Sequence, residues 1–111
     1  MKTDLSFVVP VHNEEGTLRD LEAQIREAVP EGRRLEIIFV DDGSTDGSAA
    51  ILDDLAATRP GIKVIHFESN YGKGAALSCG FQEAVGDIVF TLDADLQDDP
   101  VEVPRFLEAM E

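Results

Sequence analysis

The apolar residues of the chain fall into short blocks of two alternating kinds. Leu5 to Val11 ("LSFVVPV") is a compact β-branched run that reads as a strand, with Pro10 near its end limiting further ladder pairing. Leu18, Leu21, Ile25, Ala28 and Val29 then recur at helical spacing, with Thr17 as the expected N-cap and Pro30 and Gly32 as the stop. Leu35 to Val40 ("LEIIFV") predicts a second strand. Ile51, Leu52, Leu55 and Ala56 predict a second helix, opened by "GSTDGS" and closed by "RPG". Ile62 to Phe67 is a third strand, and Ala76, Leu77, Gly80, Phe81 and Ala84 mark a third helix. Asp87 to Leu92 ("DIVFTL") is a fourth strand, and Asp99-Pro100 opens a final helix, with Asp as N-cap and Pro at its first position.

The predicted order is βαβαβαβα. Strands that are apolar on both faces and separated by helices imply an α/β fold: a three-layer, Rossmann-like parallel sheet. Crossovers between parallel strands are right-handed. In such sheets ligands sit outside the carboxyl ends of the strands, so the residues that follow each strand are the ones to read for chemistry.

The 111 residues suggest one domain, with hydrophobic and charged shares of 43% and 29% in the ordinary globular range. The net charge of −14 argues against a nucleic-acid or anionic-membrane surface, which needs clustered Lys and Arg. It leaves nucleotides open, because a divalent metal reverses the local sign. The single cysteine, Cys79, rules out a disulfide framework within the chain and suggests a reducing, cytoplasmic setting. The first apolar run is too short for a signal peptide or a membrane span. At the other end, "DPVEVPRFLEAME" reads as a helix start without a stop signal, so the chain is expected to be a piece of a longer protein.

All four strand tips are polar: "PVHNEE", "DDGSTDGS", "SNYGKGAA" and "DADLQDDP". In the last, Asp93, Asp95 and Gln97 alternate. If the strand direction continues they point to one side, about 6–7 Å apart. Two carboxylates and an amide oxygen suit a hard cation such as Mg²⁺ or Mn²⁺, which is often shared with substrate phosphates. Asp98 and Asp99 read instead as acids favoured by the dipole of the following helix. An EF-hand fails, because the loop lacks Gly at its sixth position and has Pro104 at its twelfth.

Asp41 and Asp42 end the second strand. One can hold the Gly43-Ser44 loop as an Asx-turn, and the other can accept an imide or guanine N–H; the residues alone leave a purely structural role equally open. Lys73 lies between glycines where the third helix begins, a place that favours anions. It is not followed by Ser or Thr, so this is not a P-loop, and Leu77 spoils a dinucleotide fingerprint. His12, His66 and Cys79 read as structural.

Taken in order and spacing, "VVPVHNEE", "VDDGSTDGS", "NYGKGAAL" and "LDADLQDDP" resemble the inverting family 2 glycosyltransferases of GT-A fold, in particular the polyprenyl-phosphate mannose and glucose synthases. The resemblance runs from about residue 5 to the end. It implies that residues 1–111 are the sugar-nucleotide-binding N-terminal part of such a transferase. By matching position, Pro10, Asn13 and Glu14 belong to the first nucleotide loop. Asp42 would hold the base with Asp41 in support, and Lys73 would sit near the nucleotide. Asp93 and Asp95 are the D-x-D pair, and Asp95 with Gln97 would ligate Mg²⁺ or Mn²⁺ on the diphosphate.

The implied partners are a UDP- or GDP-sugar donor and, for the whole protein, a lipid-phosphate acceptor at the cytoplasmic face of the membrane. The acceptor-side catalytic residues fall beyond the chain, so this piece is expected to bind donor rather than complete transfer. Two other readings are a nucleotide- or metal-binding module without transfer activity, and a phosphoacceptor receiver domain. The receiver pattern needs an acidic pair after the first strand, and here the pair follows the second. An exposed apolar sheet edge makes self-association a further expectation.

Overall fold

The structure, a computed structural model, describes residues 3–94. The elements alternate as the pattern predicts: β1 (Leu5–Val11), α1 (Leu18–Ala28), β2 (Leu35–Asp41), α2 (Ser48–Thr58), β3 (Ile62–His66), α3 (Lys73–Glu83) and β4 (Ile88–Thr91). The final predicted helix at Asp99-Pro100 lies outside the described residues.

The four strands form one parallel sheet in the order β3-β2-β1-β4. Strand alternation decides which side chains meet which helix. Leu5, Phe7, Val9 and Val11 of β1, with Ile37 and Phe39 of β2, face α1 and α2 and form the larger core with Leu18, Leu21, Ile25 and Leu52. Val8, Ile38 and Val40 face the other way, onto Ala76 and its neighbours on α3. α3 can lie close to the sheet because Gly80 has no side chain: a methyl there would collide with Val8. Phe7 stacks on Phe90 of β4 with ring centroids 5.1 Å apart, which joins β4 to the larger core.

Thr17 stands at the N-cap position of α1 but does not cap it, because its hydroxyl is turned away from the helix amides. It bonds instead to the carbonyls of Glu14 and Ala94, tying the tip of β1 to the tip of β4.

At the opposite end of the sheet, Ser6 and Glu36 are polar residues buried beneath the turn into β4. The Ser6 hydroxyl donates to Glu36 at 2.5 Å and accepts the Gly86 amide at 2.8 Å. Glu36 also accepts the Val85 amide at 2.7 Å and pairs with Lys63 at 2.7 Å. Burial pushes the Glu36 carboxyl up, but the hydrogen bonds from Lys63, Ser6 and Val85 outweigh it and leave the group below its usual value.

The strand order reverses its direction of growth at β1, which has β2 on one side and β4 on the other. A crevice forms at such a point. Pro10 helps to make it. The β1–β4 pairing stops at Val8, whose carbonyl accepts the Leu92 amide at 3.2 Å. The next residue facing that edge is Pro10, which has no N–H to offer. On the other side, β1 and β2 stay paired out to Val11 and Asp41.

Candidate functional site

A cleft of about 430 Å³ opens at this end of the sheet. The β1 tip supplies Pro10, Val11, His12 and Glu14 to its wall; β2 supplies Asp42. The segment leading into α3 supplies Asn70 and Lys73, and the β4 tip supplies Asp93 and Ala94. A smaller hollow of about 180 Å³ adjoins it, sharing Pro10, Lys73 and Asp93 and reaching down to Leu77 and Thr91.

The two adjacent aspartates divide their work. Asp41 turns to the α2 side of the sheet. One of its oxygens accepts the Ser44 amide at 3.0 Å, forming the Asx-turn, and the other meets His66 Nδ1 at 2.8 Å. Asp42 turns the other way and takes the Tyr71 and Gly72 amides at 2.7 and 2.9 Å, one on each oxygen. Both carboxylates are buried, at 3% and 4% exposure. Asp42 therefore has a structural task as well as a place in the cleft wall. Each carboxylate oxygen carries a second lone pair, so capacity to accept from a ligand remains.

The loop after β2 is clasped to the tip of β1. Asn13, at φ 54°, accepts the Thr45 amide at 2.7 Å through its side chain and donates its own amide to Ser44 Oγ at 3.0 Å. Ser48 Oγ accepts the Glu14 amide at 2.9 Å, and Glu15 accepts the Gly47 amide at 2.7 Å. Gly43, at φ 67°, lets this loop pass against the backbone of Ser69 and Asn70; a Cβ there would stand 2.5 Å from the Asn70 nitrogen. Hydrogen bonding to Ser48 leads the effects that hold the Asp46 carboxyl below its ordinary range.

Lys73 reaches across the cleft to Asp93 and forms an ion pair with it. Of the residues singled out from sequence, Pro10, Glu14, Asp42, Lys73 and Asp93 converge on the cleft. Asn13 and Asp41 brace it from behind. Asp95 and Gln97 lie outside the described residues. Among the described residues no three His, Cys, Asp or Glu side chains gather as a metal site.

Two histidines that read as structural have more specific places. His12 lines the cleft. Its Nδ1 lies 2.9 Å from the Asp42 carbonyl, which can only accept, so that nitrogen carries the proton. Nε2 of the neutral ring then accepts from Asn70 at 3.3 Å. His66 ends β3 opposite Asp41 in the ladder. Hydrogen bonds to Asp53 and Asp41 hold its ring above the usual histidine range, against a smaller opposing effect of burial. The rule that points to the carboxyl ends of strands would have found both.

A parallel sheet with an acid-lined crevice at its switch point defines an α/β ligand-binding domain of the nucleotide-binding kind. Comparison with known proteins narrows the class. Residues 6–111 match the family described as Glycosyl transferase family 2, and the chain belongs to that family. It is 46% identical over 108 residues to an undecaprenyl-phosphate 4-deoxy-4-formamido-L-arabinose transferase of Edwardsiella ictaluri (strain 93-146), an alignment that covers 95% of this chain and 33% of the relative.

Among solved structures, it superposes on a mannosyltransferase from Pyrobaculum calidifontis in complex with GDP-Man and Mn²⁺. There the TM-score is 0.76 and the identity 29%, covering 86% of this chain and 28% of that one. It also superposes on the glucosyl-3-phosphoglycerate synthase of Mycobacterium tuberculosis in complex with Mn²⁺, UDP and glucosyl-3-phosphoglycerate. In that case the TM-score is 0.73 and the identity 30%, covering 97% of this chain and 39% of that one. The architecture is that of the N-terminal region of a GT-A fold. The chain spans about one third of the length of the curated relatives it matches.

Proposed function

We propose that this chain is the donor-binding portion of an inverting glycosyltransferase that takes a sugar from a UDP- or GDP-sugar and delivers it to a polyprenyl phosphate. The observation that carries the reading is the convergence of Asp42, Lys73 and Asp93 on one cleft at the sheet's switch point. Asp42, buried in the wall of the cleft, would accept an N–H of the base. Lys73, at the start of α3, would neutralise phosphate charge. The relatives named for undecaprenyl phosphate support the acceptor class, and the neighbours solved with GDP-Man and with UDP support the donor class.

The cleft carries three carboxylates, Glu14, Asp42 and Asp93, against Lys73. A diphosphate alone would be repelled by such a wall, and an oxygen-only donor set suits a hard divalent cation. Asp93, with Asp95 and Gln97 from the adjoining sequence, would hold Mg²⁺ or Mn²⁺. Such an ion supplies Lewis-acid stabilisation of the departing diphosphate. A lipid phosphate is already anionic near neutral pH and needs little help from a base, so single displacement with inversion fits this donor half. The chain alone is proposed to bind donor without completing transfer.

The whole protein is proposed to work at the cytoplasmic face of a membrane. Among the described residues no helix is long and apolar enough to cross one. Among the described residues β4 is an edge strand, and Val89 on it and Val85 just before it are exposed, which supports self-association of this piece.

The test is a calorimetric titration with UDP and with GDP, with and without Mn²⁺. Metal-dependent binding of one nucleotide, abolished in Asp95→Asn, is the expected result. A folded sample that binds neither refutes the reading, and unchanged affinity in Asp95→Asn refutes the metal assignment.

A further inference from the structure

His66 touches nothing in the cleft, yet both its ring nitrogens meet carboxylates: Nδ1 lies 2.8 Å from Asp41 and Nε2 lies 2.7 Å from Asp53. Ionised carboxylates only accept, so both contacts are hydrogen bonds only when the ring carries two protons and a positive charge. The partners differ. Asp53 is an exposed residue of α2 that water can solvate, with 67% of its side chain accessible. Asp41 is buried, and its other oxygen holds the Ser44 amide. Loss of the ring proton removes one of the two bonds and leaves the buried Asp41 charge facing a dipole instead of a cation.

From Asp41 the connection to the cleft is short. Asp41 fixes Ser44; Ser44 Oγ takes the Asn13 amide at 3.0 Å; and Asn13 leads directly into Glu14 in the cleft wall. Resting on the donor-binding reading above, we propose that His66 is a positioning residue for the nucleotide: its protonated ring, held between Asp41 and Asp53, fixes the loop that clasps the β1 tip, so nucleotide affinity falls when that proton is lost.

Among the described residues the charged groups facing the ring are Asp41 from β2 and Asp53 from α2. Lys63, on the same strand, lies on the opposite face of the sheet and pairs with Glu36. The sign follows from the two acidic partners, which raise the ring above its ordinary value of 6.5. The stabilisation is complete below that value and is lost as the pH rises through the higher value of the folded chain.

The test is a titration of the chain with UDP and GDP in Mn²⁺ from about pH 5.5 to about pH 8.5, the range in which histidine changes charge. Native protein is compared with His66→Gln and Asp53→Asn. A nucleoside diphosphate itself changes charge in this range, so the difference between native and His66→Gln carries the result. Affinity in the native chain is expected to fall about fivefold more across the range than in His66→Gln, at the lower end of site-to-site couplings. In Asp53→Asn, which keeps the Asp41 contact, the fall is expected at lower pH. The Ser44 amide resonance is expected to follow the titration of the His66 ring without nucleotide present. Nucleotide binding with the same pH profile in all three proteins overturns the inference and leaves the cleft reading standing. Absence of nucleotide binding at every pH overturns the cleft reading and this inference with it.

Discussion

Replacing Asp42 with Asn tests whether this carboxylate holds the cleft together, because the substitution keeps shape and removes one acceptor. In the native chain each carboxylate oxygen takes one backbone amide, from Tyr71 at 2.7 Å and Gly72 at 2.9 Å. An Asn side chain accepts one of these and presents an NH₂ to the other, and turning the amide over only exchanges the two. One charge-assisted hydrogen bond is lost, worth about 1.5–3 kcal/mol, and the survivor is weakened by loss of the charge. Because Asp42 is only 4% exposed, water does little to restore the balance. The sum is about 2–3 kcal/mol, a large part of the roughly 5–15 kcal/mol by which a domain is stable. Urea denaturation followed by circular dichroism measures it directly, and for a domain of about this size the midpoint temperature should drop by about 10 °C or more. Hydrogen exchange at Tyr71 and Gly72 should accelerate more than exchange at the centre of β2. A cost below about 0.5 kcal/mol, the level of an ordinary surface substitution, would refute the argument that Asp42 organises the 70–72 segment.

Three other substitutions probe different parts of the molecule. Gly43→Ala forces a side chain into φ 67° and against the Asn70 backbone, which has no rotamer to yield; a loss of about 2 kcal/mol or more in urea denaturation is expected. Lys73→Ala should weaken UDP or GDP binding about tenfold in calorimetry, the value of one charge-assisted contact, with little change in stability because the Lys73 end of its pair with Asp93 is exposed. Glu36→Gln removes the buried end of a pair whose Lys63 end is half exposed and weakens the acceptor for Ser6 and Val85, and should cost about 1–2 kcal/mol at neutral pH. Since the Glu36 carboxyl is held below its ordinary value of 4.5, its contribution is present above that value and lost as the pH falls through the lower value of the folded chain. The acid limb of the native stability profile should therefore be flatter in Glu36→Gln.

The alternation of elements was legible because each strand is a dense apolar run and each helix repeats its apolar residues at three and four positions. β1 begins and ends where the pattern places it, and the other strand limits shift by a residue at most. The four polar tips were legible for a related reason: after a parallel strand the chain meets a ligand or water. What sequence could not divide was the work of Asp41 and Asp42. Adjacent strand residues point to opposite faces, but which face holds His66 and which holds the Tyr71 and Gly72 amides depends on sheet order. His66 as the partner of two acids was hidden for the same reason, since Asp41 lies 25 residues away from it and Asp53 lies 13. Thr17 had the right residue type for a cap, but the β4 tip claimed its hydroxyl through a contact spanning 77 residues.

The position of β4 also sets the order in which the cleft can come into being. The contact between Ser6 and Glu36, which accompanies β1–β2 pairing, closes a loop of 30 residues, whereas the contact between Ser6 and Gly86 at the start of β4 closes one of 80. The longer closure costs about 0.9 kcal/mol more chain entropy, and among the described residues it secures four paired residues against seven between β1 and β2. β1, β2 and β3 can therefore assemble first around Phe39, with β4 joining last and leaving first. Pro10 and Asp93 come face to face only in that final step, so the cleft is a late product of folding and can dissolve by release of one short strand while the rest of the sheet stays intact.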